Sequence, residues 1–536
     1  MNKFYRITRF AIIGSVFMFS AVYAEDICRE PVSTAQGLVV GASVDGLPVC
    51  AYKGVPYAAP PVGNMRWRAP QPPPQRKDVL TATAFSPKCA QAKSFLDRFE
   101  DKKTIRSEDC LYLNVWRPKK SGKYPVMVWI HGGGLVMGKG SSDLYWGDRM
   151  AAQKDVVVVT INYRLSVFGF LALPALSAED ANGSSGNYGL QDQIEALKWV
   201  RENIAAFGGD PANVTIFGES AGGWSVCNIL ASPLAEGLFH RAVMESGGCD
   251  ATKTVQEGYA DGETFLKRFK CSKDDVLSCL RFKSAQEILK GEGGIPENVL
   301  TGPVKFVWLP KEDGRVLKET PIEALRNGRY NKTPLIVSSN RDEIKLLVMT
   351  MPGIRHAPKC VYKLYVRKVY GDETLKSIER LYPYKNYGRS TDAILDALGD
   401  MNLGCKCFDA AEAARVFDQP VYYCRFDYDD HKYPHYLGAG HSVEIPFVFG
   451  SLDRSLGKFI LSKKDAIKAR PLSDAMMSYW TNFAKAGNPN AHGLLEWPVY
   501  KLPTRGRMIF DLPMRVENAN NVEKCEYWRT QNIKLK

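Results

Sequence analysis

Gly218-Glu219-Ser220-Ala221-Gly222 follows the short apolar run Val214 to Phe217 without a break, and a helix-compatible stretch, Gly223 to Leu230, comes straight after it. A buried strand, a glycine-flanked serine and a helix in immediate succession leave few folds open. The glycines admit a turn too tight for a β-carbon, and that turn lifts the Ser220 hydroxyl to a helix N-terminus. The other reading is a glycine-rich turn with an incidental serine. Val126 to Ile130 and Val156 to Ile161 are unbroken apolar runs of strand length, as expected of strands buried on both faces of a parallel sheet. Ile194, Leu197, Val200 and Ile204 recur on one helical face. Leu335 to Ser339 and Val421 to Phe426 continue the strands into the later half, and Ala251 to Gly328 is charged and mostly helical in pattern. The expected fold class is therefore α/β, a central, mostly parallel sheet flanked by helices. Ser473 is the expected cap of a late helix with the stripe Met476, Tyr479, Trp480 and Phe483, ended by Gly487 and Pro489. No composition break divides the chain, so one domain over 25–536 is expected rather than several.

A second glycine feature, His131-Gly132-Gly133-Gly134, follows the strand Val126 to Ile130. Consecutive glycines let backbone N–H groups turn toward one point, which acyl transfer needs where a carbonyl oxygen becomes an oxyanion. Phosphate binding is the rival use of such a loop, but no Lys-Ser or Lys-Thr pair follows it. A serine hydroxyl also needs a histidine to take its proton and a carboxylate to orient that histidine. The chain order of an elbow fold is serine, acid, histidine. His131 and His240 are ill placed by that order or by their closeness to the elbow. His441, in the glycine-rich Gly438-Ala439-Gly440-His441, is the candidate base. His431, His435 and His441 could instead bind a metal, but Pro434 breaks the helical spacing such a site would use. Metal and cofactor are both expected to be absent from the chemistry.

Residues 1–24 have the pattern of an export signal: Lys3, Arg6 and Arg9, then the apolar stretch Phe10 to Phe19, then Val22 and Ala24 before the expected cut. No later segment is apolar enough to span a membrane. Removing the segment takes three positive charges from a net charge of +13. No run of like charges and no nucleic-acid motif accompanies the surplus, so a solvated, mixed-charge surface is the reading, with no nucleic-acid partner. With 45% hydrophobic and 24% charged residues the chain is neither disordered nor fibrous. Thirteen cysteines in an exported chain point to several disulfides, and the odd number leaves at least one thiol over. The expected location is secreted or periplasmic. Asn182, Asn213 and Asn331 lie in glycosylation sequons. Oligomeric state is not encoded in any pattern found.

Four longer motifs then carry a resemblance. They are Tyr52 to Ala58 with Pro60-Pro61-Val62-Gly63, Glu108 to Val115, Phe207-Gly208-Gly209-Asp210-Pro211 leading into Phe217 to Gly223, and Tyr479 to Ala484 with Gly487 to Asn490. In this order the chain resembles the type-B carboxylesterase/cholinesterase family of α/β-hydrolases over nearly its whole mature length. The resemblance implies an α/β-hydrolase fold with large loop and helical insertions over the site, and a serine hydrolase acting on small-molecule carboxylic esters. Ser220 becomes the nucleophile, and Gly133, Gly134 and Ala221 the oxyanion donors. Glu343, in Asn340-Arg341-Asp342-Glu343, becomes the acid rather than its neighbour Asp342, and His441 the base. Glu219, Ser246 and Glu444 become buried polar support, while Arg66 with Glu108 and Arg164 with Asp192 become ion pairs. Cys89–Cys110 and Cys271–Cys279 carry over as disulfides. Cys28–Cys50 and a bridge from Cys405 or Cys407 to Cys424 are weaker suggestions, and Cys227 is expected as a buried free thiol. No tryptophan lies between Cys89 and Cys110, where cholinesterases carry a cation-binding one, so a carboxylesterase is expected rather than a cholinesterase. Val304 and Phe306 are candidates for the acyl pocket. A lipase, an aromatic-acid esterase, a thioesterase, or an adhesion module without catalysis are the alternatives on the same scaffold.

Overall fold

The computed structural model describes residues 26–93, 97, 104–292, 306–348, 358–387 and 389–531; the expected export signal, residues 1–24, and Val304 lie outside them. Eleven strands form the main sheet. In chain order they are β1 (Ala42–Ser43), β2 (Val49–Pro56), β3 (Tyr112–Pro118), β4 (Tyr124–Ile130), β5 (Val157–Ile161), β6 (Gly209–Glu219), β7 (Arg241–Glu245), β8 (Leu335–Asn340), β9 (Val421–Phe426), β10 (Gly506–Phe510) and β11 (Arg515–Asn518). Across the sheet they run β1-β2-β3-β5-β4-β6-β7-β8-β9-β10-β11. From β5 to β10 every neighbouring pair is parallel, and the pairs outside that block are antiparallel.

The unbroken apolar runs have the expected cause. Val126, Val128 and Ile130 of β4 pack into one buried cluster, and Met127 and Trp129 into another on the opposite face. On the first face lie α1 (Tyr188–Asn203), α2 (Ala221–Ala231) and α3 (Cys405–Ala414); on the second lies α4 (Lys463–Ala486). Each such side chain taken fully out of water contributes roughly 1.5–3 kcal/mol, which is why both faces of these strands read as hydrophobic. A last helix, α5 (Val522–Thr530), returns Cys525 and Trp528 to the first cluster.

α4 does not start where Ser473 suggested. It begins at Lys463, where Ser462 and Asp465 form a reciprocal capping box, and it carries Pro471 in its interior. Pro471 faces solvent, which keeps its ring out of the packed side of the helix. Ser473 is buried mid-helix and donates its Oγ–H to the Phe447 carbonyl at 2.9 Å. A serine ahead of an apolar stripe looked like a cap, yet the reciprocal Ser-x-x-Asp pair nearer the N-terminus holds the helix start.

Five disulfides are formed: Cys28–Cys50, Cys89–Cys110, Cys227–Cys249, Cys271–Cys279 and Cys405–Cys525. The expected free thiol at Cys227 is wrong. α2 lies against β7, which brings Cys227 within 5.5 Å, Cα to Cα, of Cys249 just past that strand. The suggested bridge to Cys424 is wrong as well. On β9, Tyr423 points into the cluster that holds Cys405 and Cys407, whereas Cys424 points into the other. Strand side chains alternate faces, so the sheet itself separates Cys424 from both cysteines. Cys405 instead ties α3 to α5, while Cys407 and Cys424 stay buried and unpaired and Cys360 is exposed.

Between β5 and β6 the chain changes sides of β4, so the loops after β4 and β6 diverge at one point of the carboxyl edge. That is the switch point where open α/β sheets bind ligands.

Candidate active site

The two glycine motifs meet at this point. Ser220 sits between β6 and α2 with φ +58° and ψ −123°, a strained conformation for a residue with a side chain. It is held there by its own N–H, which donates to the Glu245 carbonyl of β7 at 2.9 Å. Gly222 has to be glycine: a Cβ there would stand 2.0 Å from the Ile130 carbonyl oxygen. The His131–Gly134 loop runs directly against the elbow, since a Cβ on Gly132 would lie 3.0 Å from Ser220 Cβ. Gly133 has φ +107° and would drive a Cβ to 2.2 Å from the Met137 carbonyl oxygen. The Ala221 N–H opens α2 and so has no helical carbonyl one turn earlier to bond.

β8 ends at Asn340, and the following turn carries Glu343. Its Oε1 accepts from the Asn340 N–H at 2.7 Å and its Oε2 lies 2.7 Å from His441 Nδ1. Asp342, the excluded neighbour, is otherwise engaged: it pairs with Lys345 at 2.7 Å and Arg341 at 2.9 Å and accepts from the Ala439 N–H at 2.9 Å. Asp342 thereby fastens the histidine loop without touching the imidazole.

The second ring nitrogen, His441 Nε2, lies 3.1 Å from Glu219 Oε1. Among the described residues the ring hydrogen-bonds to Glu343, its Nε2 lies at ion-pair distance from Glu219, and it makes no hydrogen bond to Ser220 Oγ. Glu219 immediately precedes Ser220, so this contact brings the ring to the residue next to the serine. The same Glu219 oxygen accepts from Ser442 Oγ at 2.7 Å. Burial works against a charged His441, but the Glu219, Glu343 and Glu444 carboxylates overcome it and hold the imidazole above its usual range. Burial, relieved by His441 and Ser442, leaves Glu219 above the usual carboxylate range.

Glu444 is fully enclosed and accepts from Asn340 Nδ2, and burial with the nearby Glu219 and Glu245 carboxyls holds it well above the carboxylate range. Ser246 is buried at φ +46° with its N–H on the Ser338 carbonyl at 2.9 Å. Sequence reasoning passed over Glu245, whose signal was its place opposite Glu219 on the neighbouring strand. His131 is not a second base: burial lowers it to about 4, and it stacks on Tyr163 at 4.5 Å. Phe306 stands over Gly134, its ring 2.9 Å from where a Cβ would be, and packs edge-on against Trp224 at 4.9 Å.

Both expected ion pairs are formed. Arg66 grips Glu108 through Nε and Nη2 at 2.7 and 2.5 Å and also caps the Leu280 and Lys283 carbonyls at 2.8 and 2.9 Å. Arg164 grips Asp192 at 2.8 and 2.6 Å, both groups fully enclosed.

The model of the carboxylesterase family matches residues 29–528. The para-nitrobenzyl esterase of Bacillus subtilis (strain 168) is 39% identical over 498 residues, covering 92% of this chain and 98% of its own length. The liver carboxylesterase of Sus scrofa is 37% identical over 531 residues, covering 90% and 89%. A solved PNB esterase structure superposes with a TM-score of 0.78 at 37% identity, over 93% of this chain and all of that one. With its mostly parallel eleven-stranded sheet and its glycine-flanked serine at the switch point, the chain belongs to the carboxylesterase family, has the α/β-hydrolase fold and is a carboxylic ester hydrolase.

Proposed function

We propose that Ser220, His441 and Glu343 form the catalytic triad, with the N–H groups of Gly133, Gly134 and Ala221 as the oxyanion hole. The observation that carries this reading is the His441 ring, its Nδ1 fixed by Glu343 at 2.7 Å and its Nε2 3.1 Å from Glu219, the residue before the strained Ser220. Ser220 Oγ attacks the ester carbonyl as His441 Nε2 takes its proton. Glu343 holds the imidazole in the Nδ1–H tautomer and stabilises its cation. The alcohol leaves with the proton from Nε2, and water hydrolyses the acyl-enzyme by the same route. For this cycle Nε2 has to exchange Glu219 for Ser220, a change of partner over one residue. Glu219 therefore acts as a brake on the base. Replacing Glu219 with Gln removes an anion that favours the imidazolium, so the acid limb of kcat/KM is expected to move down by about one pH unit. A pH profile of the variant checks this, and an unmoved limb would contradict it.

The Phe306 ring above Gly134, braced by Trp224, supports a shallow acyl pocket and hence a preference for short acyl chains. The test is hydrolysis of p-nitrophenyl esters from acetyl to palmitoyl. Turnover is expected to peak at short chains, and Phe306→Ala is expected to raise the long-to-short ratio on the order of tenfold. A peak at long chains in the parent enzyme would favour the lipase reading instead.

The same proposal includes export. Residues 1–24 form the signal, 25–536 form one catalytic domain, and the protein works in the periplasm or outside the cell. Five disulfides suit an oxidising compartment, and no helix among the described residues is long and apolar enough to cross a membrane. N-terminal sequencing of the exported protein is expected to start at Glu25.

A further inference from the structure

Beneath the elbow lies a buried acid that the proposed cycle does not use. Glu245 ends β7, is 0% exposed, and is paired in register with Glu219 on β6. Its Oε1 accepts from the Trp480 indole N–H of α4 at 2.9 Å. Its Oε2 has no partner, and neither do the nearby buried atoms Glu444 Oε1, Ser246 Oγ and Asn340 Oδ1. Among the described residues no lysine or arginine pairs with Glu219, Glu245, Glu343 or Glu444, so His441 is the single ionic partner of the group. A fully buried carboxylate with one donor and only acidic neighbours is far costlier than the neutral acid.

We propose that Glu245 is kept as a neutral carboxylic acid and serves as a positioning residue that keeps His441 available as a base; the inference rests on the triad reading above. Its action is indirect, through Glu219 on the adjoining strand and Glu444 behind it. Were Glu245 to ionise, the added anion would draw a proton onto the Glu219–His441 pair. A proton there holds Nε2 on Glu219 and away from Ser220. The groups facing Glu245 from the surrounding elements are Glu219 of β6, Glu444 of the histidine loop and the Cys424 thiol of β9, while β8 brings Ser338 and α4 brings Trp480. α2 brings no titrating side chain, since Cys227 is disulfide-bonded. Burial pushes Glu245 up to about 8, opposed by the Trp480 N–H and reinforced by Glu219.

The experiment is the pH profile of kcat/KM for a p-nitrophenyl ester between pH 6 and 10, on the parent enzyme, Glu245→Gln and Trp480→Phe. The acid limb reports protonation of the Glu219–His441 pair, and a charged neighbour raises it. Glu245→Gln, a neutral isostere of the acid, is expected to leave the acid limb in place, in contrast to Glu219→Gln, which moves it down. Trp480→Phe removes a donor that favours the anion, so it too is expected to leave the acid limb in place. An acid limb that moves down in Glu245→Gln overturns the inference, because Glu245 would then be charged in the working range. If Glu245→Gln does not fold, an acid limb that moves down in Trp480→Phe overturns it. Absence of turnover at every pH removes the triad reading and this inference together.

Discussion

Ser220→Ala is expected to lower kcat for a p-nitrophenyl ester on the order of 10⁵-fold while leaving the urea midpoint of unfolding nearly unchanged. Both halves follow from the local structure. The oxygen removed is the atom assigned to attack. It is also an oxygen with no hydrogen bond to His441, whose ring is held by Glu343 and Glu219, so the fold loses little when it goes. The strained φ of +58° is held by the Glu245 carbonyl and the Gly222 close approach, both of which alanine at 220 keeps. An organophosphate should label the parent covalently at Ser220 and fail to label the variant. Turnover above about 1% of the parent level, in a folded variant, would remove Ser220 from the mechanism. Absence of labelling in the parent would revive a binding module on this scaffold.

The second large effect is on stability. Arg164→Met is expected to cost about 3–5 kcal/mol, read as a drop in the urea midpoint. The guanidinium gives Asp192 two short bonds, the Arg164 N–H gives a third at 3.0 Å, and Nη1 also caps the Arg68 carbonyl at 2.8 Å. Removing the cation strands a carboxylate that burial already pushes above its usual range. Asp192 lies on α1, so the damage reaches the helix that covers one face of the sheet. Arg164→Met combined with Asp192→Leu is expected to recover most of the loss, because no unpaired charge is then left inside. A single variant as stable as the parent would mean that the pair contributes little beyond its own desolvation cost.

The chain's sequence reads well where the cause is local. Val126 to Ile130 had to be a strand covered on two faces, because every residue in it is apolar. The Gly218–Gly222 turn had to be tight, because its glycines stand where a side chain would collide. Phe306, a candidate for the acyl pocket, stands over Gly134 in the structure. Ser473 misled because a cap is judged by its reciprocal partner, and the decisive pair, Ser462 with Asp465, sits before the apolar stripe begins.

Cysteine pairing and the electrostatics of the site depend instead on which elements become neighbours. Cys227 meets Cys249 because α2 packs on β7, and Cys424 is barred from Cys405 and Cys407 by the alternation of β9 across the sheet. Glu219 holds the far side of His441, and Glu245 lies beneath it, because β6 and β7 run parallel in one register. From the sequence alone came the strands, the glycine turns and the residues available for chemistry, since those follow from side-chain size, polarity and backbone freedom over a few neighbours. Which carboxyl meets which ring nitrogen, which thiols meet and which acid stays uncharged were decided only by the tertiary structure. These depend on distances and burial between segments far apart in the chain, which exist only once the sheet order has set them side by side.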